Sequence, residues 1–361
     1  MMEAIEPAVI AERKIGDGQP CFITLEAGPT HDGLASAKKL VEVAAECGAD
    51  AVKFQIFDPD RLVADKTLPF SYDVLIDRES GTTETVTEPL YDILSRRALP
   101  ETEWWQLKDY CDQLGLLFFA TVSDDSYFSM IEKMQLPSLK VASADVNHTP
   151  FLRQLARTGA CIQLDTGNAT LGEIETAIDV LRTEGNHNVI VHNCPSGYPA
   201  RLDSINLKLL RTIKQVFQCP AAYSDHTPGW EMDIAALAMG ADLLEKTITL
   251  DRMTRSVEHT MSLEPQEVCQ FIQTIRDVET AMGQPRRIMT AAELEKRQAI
   301  RRSVYLLDPV NAGQPLSQAR VEFRRPGFGL SPQEYERFYQ ATIKQDLPAG
   351  TQLNLSHLNL A

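Results

Sequence analysis

Tyr223-Ser224-Asp225-His226-Thr227-Pro228-Gly229 follows a short apolar run at 219–222 and leads into Glu231-Met232-Asp233-Ile234-Ala235-Ala236-Leu237-Ala238, whose apolar spacing is helical. Strand, polar turn and helix make a βα unit, which presents its polar residues at the C-terminal end of the strand. Ser, Asp and His crowded there suit an anion, a metal or a proton in transit. Ser, Asp and Thr are also good helix caps, so the stretch alone reads equally well as a capped turn.

Outward from this stretch the same unit repeats. Buried-strand patterns fall at 22–26, 51–55, 116–121, 139–143, 161–165, 189–192, 220–223 and 243–247. Helical patterns follow at 34–47, 101–114, 125–134, 149–158, 171–183, 203–216, 230–239 and 265–282. Strict alternation of this kind, with no Gly-x-Gly-x-x-Gly after the first strand, predicts an α/β fold, a (β/α)8 TIM barrel, over a doubly wound sheet. Residues 1–20 read as a lead-in hairpin or arm. Residues 58–90, rich in Asp, Thr, Pro and Ser, are too long for an ordinary βα loop and read as a lid or substrate loop. The texture changes near Gly283. A charged helical linker is expected at 284–302, and a small loop-rich domain at 303–361, so the barrel domain is 1–283.

Composition narrows the class. With 43% hydrophobic and 24% charged residues among 361, the chain is of ordinary globular type. A net charge of −15 argues against nucleic acid as a partner, though a local positive pocket would still take an anionic substrate. The seven cysteines are scattered without CxxC spacing and read as reduced thiols in a cytoplasmic protein. No apolar run approaches the ~18 residues of a membrane span, and no signal-peptide core is evident.

A barrel builds its site from strand C-termini, which here supply Glu26, His31, Lys53, Gln55, Thr121, Lys140, Ser143, Asp145, Asp165, Ser196, Tyr198, Ser224, His226, Glu245 and Thr247. Lys53 and Lys140 are the informative members. A lysine inside a barrel strand must reach the mouth or be paired, because an unpaired buried charge is too costly. With Ser143 and Ser224 they would cradle a phosphate and a carboxylate; the structural alternative is pairing with Glu26 or Asp145. His226 is the best candidate metal ligand, with no second histidine at a matching strand end.

These residues carry a resemblance. Glu26-Ala27-Gly28-Pro29-Thr30-His31-Asp32-Gly33, Gly48-Ala49-Asp50-Ala51-Val52-Lys53-Phe54-Gln55, Lys140-Val141-Ala142-Ser143, Ser196-Gly197-Tyr198-Pro199, Tyr223-Ser224-Asp225-His226-Thr227 and Ser262-Leu263-Glu264-Pro265 are similar to segments of the sialic acid (N-acetylneuraminate) synthase family. So are Arg301-Arg302-Ser303 and Arg325-Pro326-Gly327-Phe328-Gly329 near the C-terminus. The resemblance implies an enzyme that condenses phosphoenolpyruvate with an open-chain N-acyl hexosamine, a transferase with catalytic residues Glu26, Lys53, Lys140 and His226. Lys53, Lys140, Ser143 and Ser224, with Thr121 and Ser196, would hold phosphoenolpyruvate; Gln55, Tyr198, Asp145 and Glu258 would hold the amino sugar. The C-terminal part would be an antifreeze-like (SAF) domain, swapped in a homodimer so that Arg325 serves the partner's site.

The resemblance also implies a divalent metal, Mn²⁺ or Mg²⁺, on His226. Here the chain departs from the family pattern: Thr247 stands where a second ligand histidine is expected, Asp165 where a serine is, and Glu258 where an aspartate is. Asp165 becomes a second candidate metal ligand, with Glu26 and Asp225 as other sources of an oxygen donor. Two readings stay open: a working synthase, and a non-catalytic relative that still binds sugar or phosphoenolpyruvate.

Overall fold

A computed structural model describes residues 5–360. The eight strands β1 (Phe22–Glu26), β2 (Ala51–Ile56), β3 (Leu117–Val122), β4 (Ser138–Val141), β5 (Cys161–Asp165), β6 (Val189–Asn193), β7 (Ala221–Asp225) and β8 (Leu243–Thr247) form one closed barrel. All neighbours are parallel, and β8 closes on β1 with Glu245 opposite Thr24 and Thr247 opposite Glu26.

Strand periodicity sorts the interior into layers. Phe22, Ala51, Phe119, Cys161, Ile190, Ala222 and Leu243 form an apolar floor near the strand starts. Ala8, Ile10 and Ile15 join it from an antiparallel hairpin, Ala8–Ile10 with Arg13–Ile15, so the expected lead-in segment plugs the barrel's bottom. Residues two positions further along a strand share the same face. They are Thr24, Lys53, Thr121, Gln163, His192, Ser224 and Glu245, all buried. One step along the strands therefore takes the interior from a floor that is apolar on every strand except β4, where Ser138 stands opposite Cys161, to a wholly polar layer. The second layer is where chemistry is built.

The outer faces of the strands and the surrounding helices share the main core, in which Trp104, Leu107, Phe271 and Ile275 are almost fully buried. Each such side chain contributes about 1.5–3 kcal/mol relative to leaving it exposed. The first helix, Leu34–Glu46, is followed by Gly48 in the left-handed region at φ 82°, a conformation glycine adopts without steric cost.

Two sequence expectations change here. The segment at 58–90 is not a loop: it holds an antiparallel hairpin, Pro69–Asp77 with Thr82–Pro89, followed by a helix at Leu90–Ser95. The second of these strands, Thr82–Pro89, is threonine-rich and largely exposed on both faces, and the hairpin was hidden by a turn-like composition. The cysteines are not all free: Cys47 and Cys269 are disulfide-bonded, their Cα atoms 4.6 Å apart, while Cys21, Cys111, Cys161, Cys194 and Cys219 are free and buried. Barrel closure sets the helices Leu34–Glu46 and Pro265–Met282 side by side, a proximity that sequence spacing conceals.

The chain divides into two compact units after Gly283. The second has its own core of Val304, Leu306, Leu316, Leu330, Ile343 and Leu353. The segment at 284–302 contains the helix Ala291–Ile300, opened by a capping box of Thr290 and Glu293, and it groups with this unit. No described helix is long and apolar enough to cross a membrane.

Candidate active site

Strand ends at the C-terminal mouth of the barrel surround a cavity of about 440 Å³. Eleven of the sequence-predicted residues line it: Glu26, Lys53, Gln55, Thr121, Ser143, Asp165, Ser196, Tyr198, His226, Glu245 and Glu258. Lys140 and Ser224 lie beneath it in the second polar layer. Asp145 does not line it; its half-buried carboxyl sits beside His148 and Ser123 and is raised by burial. Arg325 belongs to the other compact unit.

Glu245, from β8, is the hub of the charged floor. Its Oε1 accepts from Lys140 Nζ at 2.6 Å and lies 3.4 Å from Lys53 Nζ. Lys53 also pairs with Glu26 and donates to Thr121 Oγ1 at 2.8 Å. Lys140 pairs with Asp165 at 2.9 Å and donates to Ser224 Oγ at 2.8 Å. Burial disfavours charge on both lysines, but the surrounding carboxylates outweigh it and hold them protonated. Burial likewise opposes the Glu245 carboxylate, and Lys140 with Lys53 overrides it, keeping that group well below the usual range. Glu26 is raised, by burial first and by Glu245 across the shared ammonium.

The serine and histidine neighbours are fixed from below. His192 Nε2 lies 3.0 Å from Gln163 Oε1, and Gln163 Nε2 donates to Ser138 Oγ at 2.8 Å. An amide oxygen only accepts, so Nε2 carries the proton and Nδ1, 2.9 Å from Ser224 Oγ, competes with Asp165 Oδ1 at 3.1 Å for the single Ser224 hydroxyl proton. Burial and Lys140 push His192 down to about 3, so this imidazole stays neutral. Two glycines allow close approach. A Cβ on Gly28 would meet Glu26 Oε1 and Gln55 Cγ at 2.7 Å, and one on Gly167 would meet Ser143 Oγ at 2.7 Å. The Gly167 N–H instead donates to Ser143 Oγ at 2.9 Å.

At the other end of the cavity, Tyr198 packs on the His226 ring with centroids 4.8 Å apart. His226 Nδ1 lies 3.1 Å from the Pro195 carbonyl oxygen, so Nδ1 donates and Nε2 is the free acceptor. Glu258 faces this end, and Phe70 of the 69–89 hairpin covers it. His31 and His259 are packed elsewhere: His31 against Phe54 and Trp104, His259 with Nδ1 2.8 Å from Thr249 Oγ1.

The residues present do not fit a divalent-metal site. Continuing the β7–β8 register, in which Asp225 stands opposite Lys246, sets His226 beside Thr247, and a hydroxyl is a poor donor for Mn²⁺. Asp165 is already bound, by Lys140 at 2.9 Å and by Ser224, which donates to it at 3.1 Å. Glu26 is taken by Lys53. Asp225 points out of the barrel, as period-two alternation requires, where Lys246, Tyr223 and Thr227 hold it. Among the described residues no cluster of three or more His, Cys, Asp or Glu is arranged to hold a metal. Glu26, Asp165 and Asp225, the acids expected as oxygen donors beside His226, are thus each engaged by other side chains.

One candidate gained a role the sequence did not show, and one residue acting on the site was missed. Glu245 was legible as a strand end but not as the hub. Arg97, which follows the helix Leu90–Ser95, is 4% exposed, and its Nε and Nη2 have no hydrogen-bond partner. It falls between the excursion at 58–90 and the helical pattern at 101–114, where the sequence carries no periodic signal.

A closed (β/α)8 barrel with a charged cavity at its C-terminal mouth defines the chain as a barrel enzyme. The chain belongs to the NeuB family, whose sequence model matches residues 40–287. It is 33% identical to the N,N'-diacetyllegionaminic acid synthase of Legionella pneumophila, covering 95% of this chain and 96% of that one. It is 29% identical to the human N-acetylneuraminate-9-phosphate synthase, covering 81% and 79%. The crystal structure of N-acetylneuraminic acid synthetase from Leptospira borgpetersenii superposes with a TM-score of 0.70 at 26% identity, covering 82% of this chain and 97% of that one.

Proposed function

We propose that this chain is a nonulosonate synthase, joining phosphoenolpyruvate to an open-chain N-acyl hexosamine to give a nine-carbon 2-keto acid and phosphate. The observation that carries this reading is the approach of two ammonium groups, Lys53 and Lys140, to one oxygen, Glu245 Oε1, at the floor of the cavity. Family membership and relatives named as synthases of three different products support the reaction class and leave the acceptor sugar open.

In the proposed reaction C3 of the enol attacks the aldehyde carbon, water adds at C2, and phosphate leaves. Lys53, Lys140 and Ser224 take the anionic end with Ser143, Thr121 and Ser196; Gln55 and Tyr198 position the sugar. Holding the two reactants in contact removes most of the entropic barrier to their meeting. The anion must compete with internal carboxylates, since Glu26, Glu245 and Asp165 outnumber the two ammonium groups. Glu26, with its raised carboxyl, is the acid that takes up a proton when the anion arrives.

The assembly proposed with this reading is a two-fold homodimer in which residues 303–361, as an antifreeze-like domain, bring Arg325 to the partner's site. The deciding experiment is phosphate release from phosphoenolpyruvate across a panel of N-acyl hexosamines, with light scattering on the same sample. Acceptor-dependent release from a dimer supports the proposal. Phosphoenolpyruvate or sugar binding without release would favour the non-catalytic reading, which Asp165 on Lys140 and Ser224 makes specific.

A further inference from the structure

Four carboxyl groups line the cavity: Glu26, Asp165, Glu245 and Glu258. The first three are bound to Lys53 or Lys140. Glu258 differs. Among the described residues no basic nitrogen lies within 4.0 Å of its carboxyl, and no side chain or backbone group hydrogen-bonds to it.

Its backbone is nevertheless pinned. Glu258 sits in the left-handed region at φ 73° and ψ −11°, which costs a non-glycine residue and persists only where the surroundings enforce it. Ser262 Oγ donates to its carbonyl oxygen at 2.6 Å, and the preceding Val257 packs with Tyr72, Val74 and Ile93. A strained, firmly held turn thus delivers an unpaired carboxyl to the cavity.

The charged and titratable groups that act on it are Arg97, Glu26, Lys53, Glu245 and Tyr198. Burial raises Glu258 to about 7; Arg97 and Lys53 oppose the rise, while Glu26 and Glu245 add to it. Near neutrality this carboxyl is therefore divided between its acid and base forms, as a general acid should be. At this end of the cavity His226 is neutral, Thr247 stands where a second metal ligand would be needed, and the Tyr198 phenol, pushed well above its usual value by Glu258 and by burial, can lend a hydrogen bond but does not give up its proton.

We propose that Glu258 is the general acid of the condensation, donating its proton to the acceptor's aldehyde oxygen as the new bond forms. This rests on the synthase reading above. The C2–C3 π electrons of phosphoenolpyruvate make the bond from C3 to the aldehyde carbon. The carbonyl π pair becomes the O–H bond, taking the proton from Glu258. Water adds to the electron-deficient C2 and releases a proton that returns to the Glu258 carboxylate. The C2 hydroxyl then passes its proton to the bridging phosphate oxygen as the C2–O bond to phosphate breaks, so that inorganic phosphate departs and the 2-keto acid is left. Water is the sole additional reactant.

The test compares wild type with Glu258→Gln and Glu258→Asp after exhaustive chelation, using phosphoenolpyruvate and N-acetylmannosamine with phosphate release as the readout. Glu258→Gln should lose about 100- to 1,000-fold in kcat with each KM within a few-fold, as expected for a lost proton donor. Wild-type kcat should fall as pH rises through about 7, because the acid form is lost there, and the residual Glu258→Gln rate should not. Glu258→Asp should retain part of the rate with its pH dependence. Calorimetric phosphoenolpyruvate binding by Glu258→Gln, unchanged from wild type, reports an intact fold. A Glu258→Gln kcat within about five-fold of wild type would overturn the role, as would wild-type activity that returns only with added Mn²⁺. No release by wild type with any acceptor would overturn the synthase reading itself, and this role with it.

Discussion

Asp165 occupies, with its own carboxylate, the place proposed for the incoming anion: it holds Lys140 at 2.9 Å and receives a hydrogen bond from Ser224 at 3.1 Å. Replacing it by serine should free both groups, and calorimetry should record tighter phosphoenolpyruvate binding by roughly ten-fold, or ~1.4 kcal/mol. Unchanged or weaker binding would mean that the anion does not use Lys140. Thr247→His should pair a second imidazole with His226 across the β7–β8 register and tighten Mn²⁺ by at least about ten-fold, read by titration without substrate. Submicromolar Mn²⁺ binding by the unsubstituted protein would contradict the misfit described above. At this scale the lysines were legible, because a charge inside a barrel strand has nowhere to go but the polar layer. Their pairing was not: which of Glu26, Asp145, Asp165 and Glu245 meets which ammonium depends on barrel closure, and Asp145 proved to lie outside the set. Arg97 was invisible for a different reason, since a single arginine in the short connection between two helices has no period to betray its burial.

The element that most changes between sequence and structure is the excursion between β2 and β3. As a loop it would be a free lid; as a hairpin it is anchored, with Tyr72 and Val74 packed on Ile93 and Val257, next to Glu258. Tyr72 also donates from its hydroxyl to Glu88. Tyr72→Ala should therefore loosen the hairpin without unfolding the barrel: proteolysis at the tip, residues 79–81, should quicken at least about ten-fold while the melting temperature of the barrel hardly moves. Parallel losses in both measurements would show that hairpin and barrel open only together. The eight barrel strands were readable within a residue or two because each is a buried β-run flanked by turn residues. The hairpin strands were not: Thr82–Pro89 is largely polar on both faces, and the alternation of Phe70, Tyr72 and Val74 with Ser71 and Asp73 is short and sits among turn-forming residues.

On the scale of the whole molecule, the division after Gly283 was legible as a change of texture, whereas the helix Ala291–Ile300 belongs with the C-terminal unit and not to a free linker. Cysteine pairing was beyond reach, because Cys47 and Cys269 are 222 residues apart and only the closing of the barrel brings their helices together. That bond has a topological consequence. Hydrogen bonds close the sheet into a ring across β8 and β1, and the Cys47–Cys269 bridge closes the backbone into a ring that encloses most of the barrel. A single cut anywhere inside such a ring opens it without dividing it. Protein nicked at residues 79–81 should run as one species on a denaturing gel without reductant and as two fragments with it; two fragments under both conditions would show that the bridge is not formed. The barrel thus tolerates a break in its most exposed hairpin as a bicycle chain tolerates one open link while the frame still holds both ends.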